Sequence, residues 1–285
     1  MSVLLTFRKL GMDCRLRVDD PEMEPLALRV QTAARTEVRA CSPEETADLV
    51  WVPAGAGQWR IFLHGEPWEG VFHGEANLYF QTDHLLDGLA RRRWPDGLFL
   101  HAGAAVPGGG KAVLFCGSSG AGKTSLVTSC ILSGWSWLTD ELLLIDPGDA
   151  WRIRGSRRNF NLKERSFGNF PETAPGVWET ATGDRRGRIR FFDPDQLGGG
   201  PWCESASVGC LVFPEYAAEA DEPVVERMGS REALGRLGPE IVSSGGAPAV
   251  AMLVSGIGRI PSYRLSYRDP RKAVGLLEEL VREAA

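Results

Sequence analysis

Gly117-Ser118-Ser119-Gly120-Ala121-Gly122-Lys123-Thr124 fits the pattern G-x-x-x-x-G-K-[ST] at every fixed position. The flanks agree with it. Ala112-Val113-Leu114-Phe115-Cys116 is a short, β-prone apolar run, as a buried strand should be. Downstream, Leu126, Val127, Cys130 and Ile131 recur at helical spacing between Ser125 and Ser133. Strand, glycine loop and helix in that order bring backbone N–H groups and the positive end of a helix dipole to one point, which suits a polyphosphate. The pattern places residues 117 to 125 around a nucleoside triphosphate, with Lys123 at the β- and γ-phosphates and the Thr124 hydroxyl on Mg²⁺. The plainer alternative is a glycine-rich turn before an ordinary helix.

Two acids follow. Trp135 to Thr139 reads as a second strand after the helix, and it ends in Asp140-Glu141. Carboxylates at a strand end beside a phosphate loop supply the negative charge that Mg²⁺ and an attacking hydroxyl need. Asp140 comes only 23 positions after Gly117 (117 to 140). Motor, GTPase and transporter ATPases usually carry the metal-binding acid much further along. The competing reading is a solvated acid pair that opens the next strand, Leu142 to Ile145.

Upstream, Leu98 to Val106 looks like a strand that contains His101, and Pro107-Gly108-Gly109-Gly110 makes a tight turn into the loop strand. A hairpin therefore feeds the glycine loop. Taken alone, a single histidine is more often structural than catalytic.

Together, Leu100-His101-Ala102, the hairpin, the glycine loop and Leu138-Thr139-Asp140-Glu141-Leu142 resemble the catalytic domain of the HPr serine kinase/phosphorylase family. The likeness is greatest to its divergent members, the HPr-kinase-like peptide and protein serine kinases. Ser156-Arg157-Arg158-Asn159-Phe160-Asn161-Leu162-Lys163 is similar to their S-R-P-x-x-L-K segment, with Arg158 in place of the usual proline. Ile260 to Tyr267 looks like their closing strand. The resemblance covers roughly residues 97 to 280. It implies an α/β phosphate-loop domain of the HPr kinase and phosphoenolpyruvate carboxykinase type, and homo-oligomers. Asp140 would act as base toward the acceptor hydroxyl, Thr124, Asp140 and Glu141 would hold the metal, and His101 would lie in the active site. Arg157, Arg158 and Lys163 would close on the phosphates. Glu141 stands where the family has a second aspartate, and the signature for HPr docking and phosphorolysis has no clean counterpart.

Composition narrows the classes. A chain of 285 residues with 43% hydrophobic content can bury one medium or two small cores. A net charge of −5 argues against general nucleic-acid binding. No apolar run is long enough to span a bilayer, and Met1 to Lys9 lacks a signal-peptide layout, so a cytoplasmic enzyme without membrane attachment is expected. The six cysteines form no C-x-x-C pair, and Cys116 and Cys130 fall in elements expected to be buried, where they act as small hydrophobes. The four histidines do not join cysteines at zinc-ligand spacing.

Residues 1 to 88 are expected to form a small β-rich domain, with strands at Leu4 to Phe7, Arg15 to Val18, Leu49 to Val52 and Trp59 to Leu63. Asp83 to Arg93 looks helical, and residues 89 to 285 make the catalytic domain. A turn is expected over 146 to 149. Between 150 and 190, ten Arg or Lys face four acids, a local excess that suits nucleotide phosphates or an acidic peptide. Gly168 to Gly187 and Gly198 to Gly200 have loop composition and could form a mobile lid, and Ala273 to Ala284 reads as an amphipathic helix. The expected activity is ATP- and Mg²⁺-dependent transfer of the γ-phosphoryl group to a serine of a peptide or protein. A small-molecule kinase, a relative of phosphoenolpyruvate carboxykinase, and a non-catalytic ATP sensor or scaffold are the alternatives.

Overall fold

The computed structural model describes residues 2–30, 35–68, 70–146, 151–174, 176, 178–181, 187–243 and 245–283. β1 (Ser2–Lys9) and β2 (Met12–Val18) form a hairpin. Its two turn residues, Leu10 at φ 49° and Gly11 at φ 82°, both take the left-handed conformation that matches the twist of the flanking strands. α1 (Glu24–Val30), β3 (Arg35–Cys41), β4 (Leu49–Gly55), β5 (Gln58–Leu63), β6 (Glu66–Pro67) and β7 (Phe72–His73) follow. The sheet order is β3-β1-β2-β4-β5-β6, with β7 also on β5.

α2 (Glu75–Arg93) lies on this sheet. The helix expected from Asp83 starts earlier, after Gly74 at φ 78°, because Leu78 and Tyr79 extend its buried stripe through Leu85, Leu86 and Leu89. That stripe packs with Phe7, Leu16, Trp51 and Ile61. The boundary expected near residue 88 falls inside α2.

The second sheet is built around β8 (Leu98–Val106), β9 (Ala112–Cys116), β10 (Ser136–Thr139), β11 (Leu142–Ile145) and β12 (Arg152–Gly155), with α3 (Lys123–Leu132) after the glycine loop. β13 (Phe160–Lys163), β14 (Trp178–Ala181) and β15 (Arg188–Phe192) form a separate small sheet in the order β13-β15-β14. The larger sheet is completed by β16 (Ser205–Tyr216), β17 (Val224–Met228), β18 (Ile241–Ser243) and β19 (Ser262–Tyr267). α4 (Ser230–Leu237), α5 (Ala247–Ile257) and α6 (Ala273–Glu283) cover it.

Both faces of β9 are buried, which is why it is continuously apolar rather than alternating. Val113 and Phe115 face the core of α3 and α6, with Leu126, Ile131 and Leu277. Ala112, Leu114 and Cys116 join the opposite core, with Leu237, Leu253 and Ile257 of α4 and α5. Burial pushes the Cys116 and Cys130 thiols well above their ordinary range, as small hydrophobic side chains.

The segment expected to be loop from Gly168 to Gly187 contains β14, held to β15 from Trp178 through Ala181, with the Trp178 ring stacked on Phe191 at 3.7 Å. Residues 147 to 149 of the expected turn, residues 182 to 186 with Arg185 and Arg186, and the last expected helical residue, 284, lie outside the described residues.

A chain of buried charges joins the two sheets. The Lys9 ammonium, fully enclosed, bonds the Asp83 carboxylate of α2 and lies 3.1 Å from Ser156 Oγ and 3.4 Å from Asp87 Oδ1. Asp83 Oδ2 in turn takes Arg158 Nη1 at 2.8 Å. Removing one member leaves an uncompensated buried charge, which typically costs about 3–5 kcal/mol. Lys9→Met is therefore expected to lower the unfolding free energy by about that amount in urea titrations. A loss below about 1 kcal/mol, the range of exposed pairs, would mean that the charges do not depend on one another.

Candidate active site

The position of the acids follows from strand register. Ser136, Trp137 and Thr139 pair with Val106, Ala105 and Ala104, and Leu142 to Ile145 continue down the same edge of β8 from His101 to Leu98. β10 and β11 are thus one interrupted ribbon. Asp140 and Glu141 occupy the step between the two strands, opposite Gly103 and Ala102, with the Ala102 N–H donating to the Glu141 carbonyl at 3.0 Å, and the register shift of β10 falls earlier, between Trp137 and Thr139. The other edge of β8 carries β9 from Ala102 to Ala105. A methyl group on Gly103 would lie 2.9 Å from Val127 Cγ2 and 3.7 Å from Asp140 Cα, so the bare glycine lets α3 settle against the acid step.

The glycine loop turns at Gly117, Gly120 and Gly122, with φ of 156°, 92° and 105°. Gly122 is the residue before α3, and its left-handed backbone directs the first helical turn at the acids. Thr124 Oγ1 donates to Asp140 Oδ2 at 2.9 Å. Lys123, largely buried, rests its ammonium on the Gly117 carbonyl at 2.5 Å and the Ser118 carbonyl at 3.3 Å. Burial shifts its pKa downward against the pull of Glu141, Glu240 and Asp140.

The two acids have opposite surroundings. Asp140 is 2% exposed, and burial raises its pKa to about 6 against the lowering effects of Arg158 and the Thr124 hydroxyl. Its Oδ1 has no hydrogen-bond partner, and Arg158 Nε stands 4.0 Å away. Glu141 reaches into the cleft, where burial raises its pKa but His101, Arg158 and Lys123 together hold it well below the usual carboxylate range. His101 Nε2 meets Glu141 Oε1 at 3.3 Å, and Nδ1 meets Glu240 Oε2 at 3.1 Å. The bond to Glu141 shifts the imidazole pKa upward. A ring with a carboxylate at each nitrogen is stabilised as the cation and fixes Glu141 in place. Paired acids whose environments drive their affinities for protons apart are suited to divided roles, one exchanging a proton and one remaining charged.

A cleft of about 960 Å³ joins these groups. His101, Ser119 to Ser125, Asp140, Glu141, Arg158 and Lys163 line it. Gly117 and Ser118 are not in the lining, and their carbonyls accept from the Lys123 ammonium. Arg157 is not in the lining: it bonds Asp195 at 2.6 Å and lies over the Trp202 ring. Lys163 Nζ reaches Ser119 Oγ at 3.1 Å, and Arg165 Nη2 reaches the Gly120 carbonyl at 3.0 Å. Much of the basic segment is matched internally. Arg154 pairs with Asp146, Arg158 with Asp83, and Arg188 and Arg190 with Glu179.

Several lining or contacting residues escaped the sequence reading. Arg165 belongs to the same basic run as Lys163, two positions on, and that spacing was a usable signal. Asp83 is an acid among the buried positions of α2, with the half-buried Asp87 one turn on, an anomaly legible once the helix is drawn from Glu75. Glu240 carries no local signal; it reaches His101 because β18 pairs Ile241 with Leu100.

Among the described residues, no group of three or more His, Cys, Asp or Glu is arranged to hold a metal by itself. Mg²⁺ needs less from protein, since it takes one or two carboxylates and fills its other positions with water and phosphate oxygens. The unpartnered Asp140 Oδ1, the Thr124 hydroxyl and the Glu141 carboxylate form an oxygen-only set that fits such an ion. No protein-family model matches the chain, and no curated protein matches it either. Among the described residues, no helix is long and apolar enough to cross a membrane.

The Asp140 environment has a consequence for stability. The folded protein holds this proton to about pH 6, whereas the carboxyl has an ordinary value of 3.8. Protonated Asp140 therefore favours the fold, and that advantage disappears as pH rises through this interval. Asp140→Asn should be more stable than the parent by about 2–3 kcal/mol at pH 8, with the difference shrinking as pH falls from 6 toward 4. Urea unfolding across that range reads it directly. A variant less stable than the parent at pH 8 would contradict the strained carboxylate.

Proposed function

We propose that this protein is an ATP- and Mg²⁺-dependent kinase that transfers the γ-phosphoryl group to a serine hydroxyl of a peptide or protein, in the manner of the HPr-kinase-like serine kinases. The observation that carries the reading is the 2.9 Å bond from Thr124 to Asp140, which joins the lysine-bearing loop to a buried acid with one free oxygen. The choice of serine rests on the sequence resemblance.

The chemistry follows from the side chains. The acceptor hydroxyl oxygen bonds to the γ-phosphorus as the bond from that phosphorus to the β-γ bridging oxygen breaks, and ADP leaves. The hydroxyl proton passes to Asp140, whose pKa of about 6 leaves it ionised near neutrality and basic enough to accept. Lys123, Lys163 and Arg165 place positive charge along the loop, where charge on the transferring oxygens needs compensation. Bound Mg²⁺ would be held by Thr124, Asp140 and Glu141 and would supply charge neutralisation at the phosphates. His101 acts through Glu141, keeping that carboxylate ionised and aimed. The acceptor side of the cleft is bounded by α2 and by Trp68, Phe72 and Phe80.

Transfer to a small metabolite is favoured by one observation. The Arg residues expected to draw an acidic peptide are largely engaged by neighbouring carboxylates.

Lys123→Ala is expected to abolish transfer and weaken ATP binding in calorimetry, and Asp140→Asn to keep ATP binding while lowering turnover by about 10²–10⁴-fold. Mass spectrometry of candidate peptides should find one added phosphate on serine; a phosphorylated metabolite with unmodified peptides would select the small-molecule reading. Unchanged affinity and turnover in Lys123→Ala would remove Lys123 and the glycine loop from the transfer site.

The two arginines also separate. Arg165→Ala should raise the KM for ATP several-fold, whereas Arg157→Ala, which loses a bond to Asp195 outside the cleft, should leave it unchanged. Equal effects in steady-state kinetics would place both at the nucleotide or neither.

A further inference from the structure

The cleft has a direction. Asp140, Glu141 and His101 stand on the β8 side of the glycine loop. On the other side the loop abuts Tyr267, whose hydroxyl lies 3.5 Å from the Ala121 carbonyl oxygen. A methyl group at Gly122 would come within 1.8 Å of that same hydroxyl. The ring and the loop therefore pack without room for a side chain between them.

Strand polarity explains the contact. β9, β16 and β19 run parallel, with Phe115 beside Val212, and Tyr216 beside Tyr267. Their carboxyl ends open on one rim, the place where parallel α/β sheets bind ligands. β9 ends in the glycine loop, β16 at Tyr216 and β19 at Tyr267. Tyr216 is 65% exposed and is the sole aromatic among the large hydrophobic residues left exposed in the described part of the chain. It lines the same cleft as Tyr267, Arg268 and Pro270. A flat apolar ring turned to water at a cleft mouth is suited to stacking on another flat ring.

Resting on the reading of the loop as a polyphosphate site, we propose that the rim formed by Tyr216, Tyr267, Arg268 and Pro270 is the nucleoside station, with Tyr216 stacking on the base of the nucleoside triphosphate. A triphosphate whose terminal phosphate lies at the acid step must carry its nucleoside toward the opposite end of the loop. That end is this rim. Tyr267 supports the loop beneath, and the Tyr216 face supplies the contact that the phosphates cannot provide.

The test compares two ligands that share the phosphates and differ in the base. Calorimetry with Mg²⁺ and either ATP or inorganic tripolyphosphate is run on the parent, Tyr216→Ala and Tyr216→Trp. Position 216 is exposed, so both variants keep the core. Stacking on one aromatic ring predicts that Tyr216→Ala loses about tenfold in ATP affinity, that Tyr216→Trp retains it, and that tripolyphosphate binds all three alike. ATP affinity independent of residue 216, or equal weakening of both ligands, overturns the station while leaving the polyphosphate site standing. A parent chain that binds neither ligand overturns both.

Discussion

The site depends on β8 being hydrogen-bonded along both edges. One edge carries β9 and β18, the other the interrupted ribbon of β10 and β11. An interruption on a free edge would be absorbed by solvent. Between fixed partners it is accommodated locally: the pairing of Thr139 with Ala104 and of Leu142 with His101 holds Asp140 and Glu141 opposite Gly103 and Ala102. Gly103 completes the arrangement by removing the side chain that would otherwise hold α3 away. The same strand brings His101 to Glu141 and, through its pairing with Ile241, to Glu240. β9, β10, β11 and β18 thus meet on a single nine-residue strand.

Much of this is legible in the sequence. The strand, loop and helix around Lys123 lie where the apolar run and the helical spacing put them, because local pattern and tertiary burial agree there. The β8 to β9 hairpin was equally readable from its turn residues, and the closing strand, expected over Ile260 to Tyr267 from the family resemblance, runs from Ser262 to Tyr267. What escaped was long-range or misleading in composition. Gly168 to Gly187 looks like loop, yet Trp178 stacks on Phe191 and pins β14 to β15, an aromatic pairing that no window average detects. The burial of Asp83 follows from a helix that begins at Glu75, which places the acid on the stripe with Leu78, Tyr79 and Leu86. The basic excess between 150 and 190 was real as a count and misleading as a surface, since charge in sequence does not reveal which acids fold beside it. Arg157 illustrates this: its neighbour in the chain lines the cleft, whereas Arg157 turns to Asp195.

Electrostatics divides the molecule's labour in a way that burial alone does not. Asp140 and Arg158 are both nearly inaccessible and 4.0 Å apart, too far for a good hydrogen bond, while Arg158 spends its closer contact on Asp83. The guanidinium therefore lowers the proton affinity of Asp140 without quenching it. A direct bidentate pair would have held the Asp140 carboxylate ionised at lower pH.

The run from Lys9 through Asp83 to Arg158 also bears on how such a chain can change over time. Its members come from the first strand, from α2 and from the segment ahead of β13, so they share no stretch of sequence that could be exchanged as a unit. A recombination event that brought in a foreign β1 and kept the remainder would take the Lys9 ammonium from Asp83 and Asp87 and leave Arg158 as the one cation bonded to Asp83 among the described residues. The amino-terminal sheet is consequently not a detachable module beside a self-sufficient second half. Substitutions at positions 9, 83 and 158 are constrained to occur together, and descendants of this fold should vary at all three or at none.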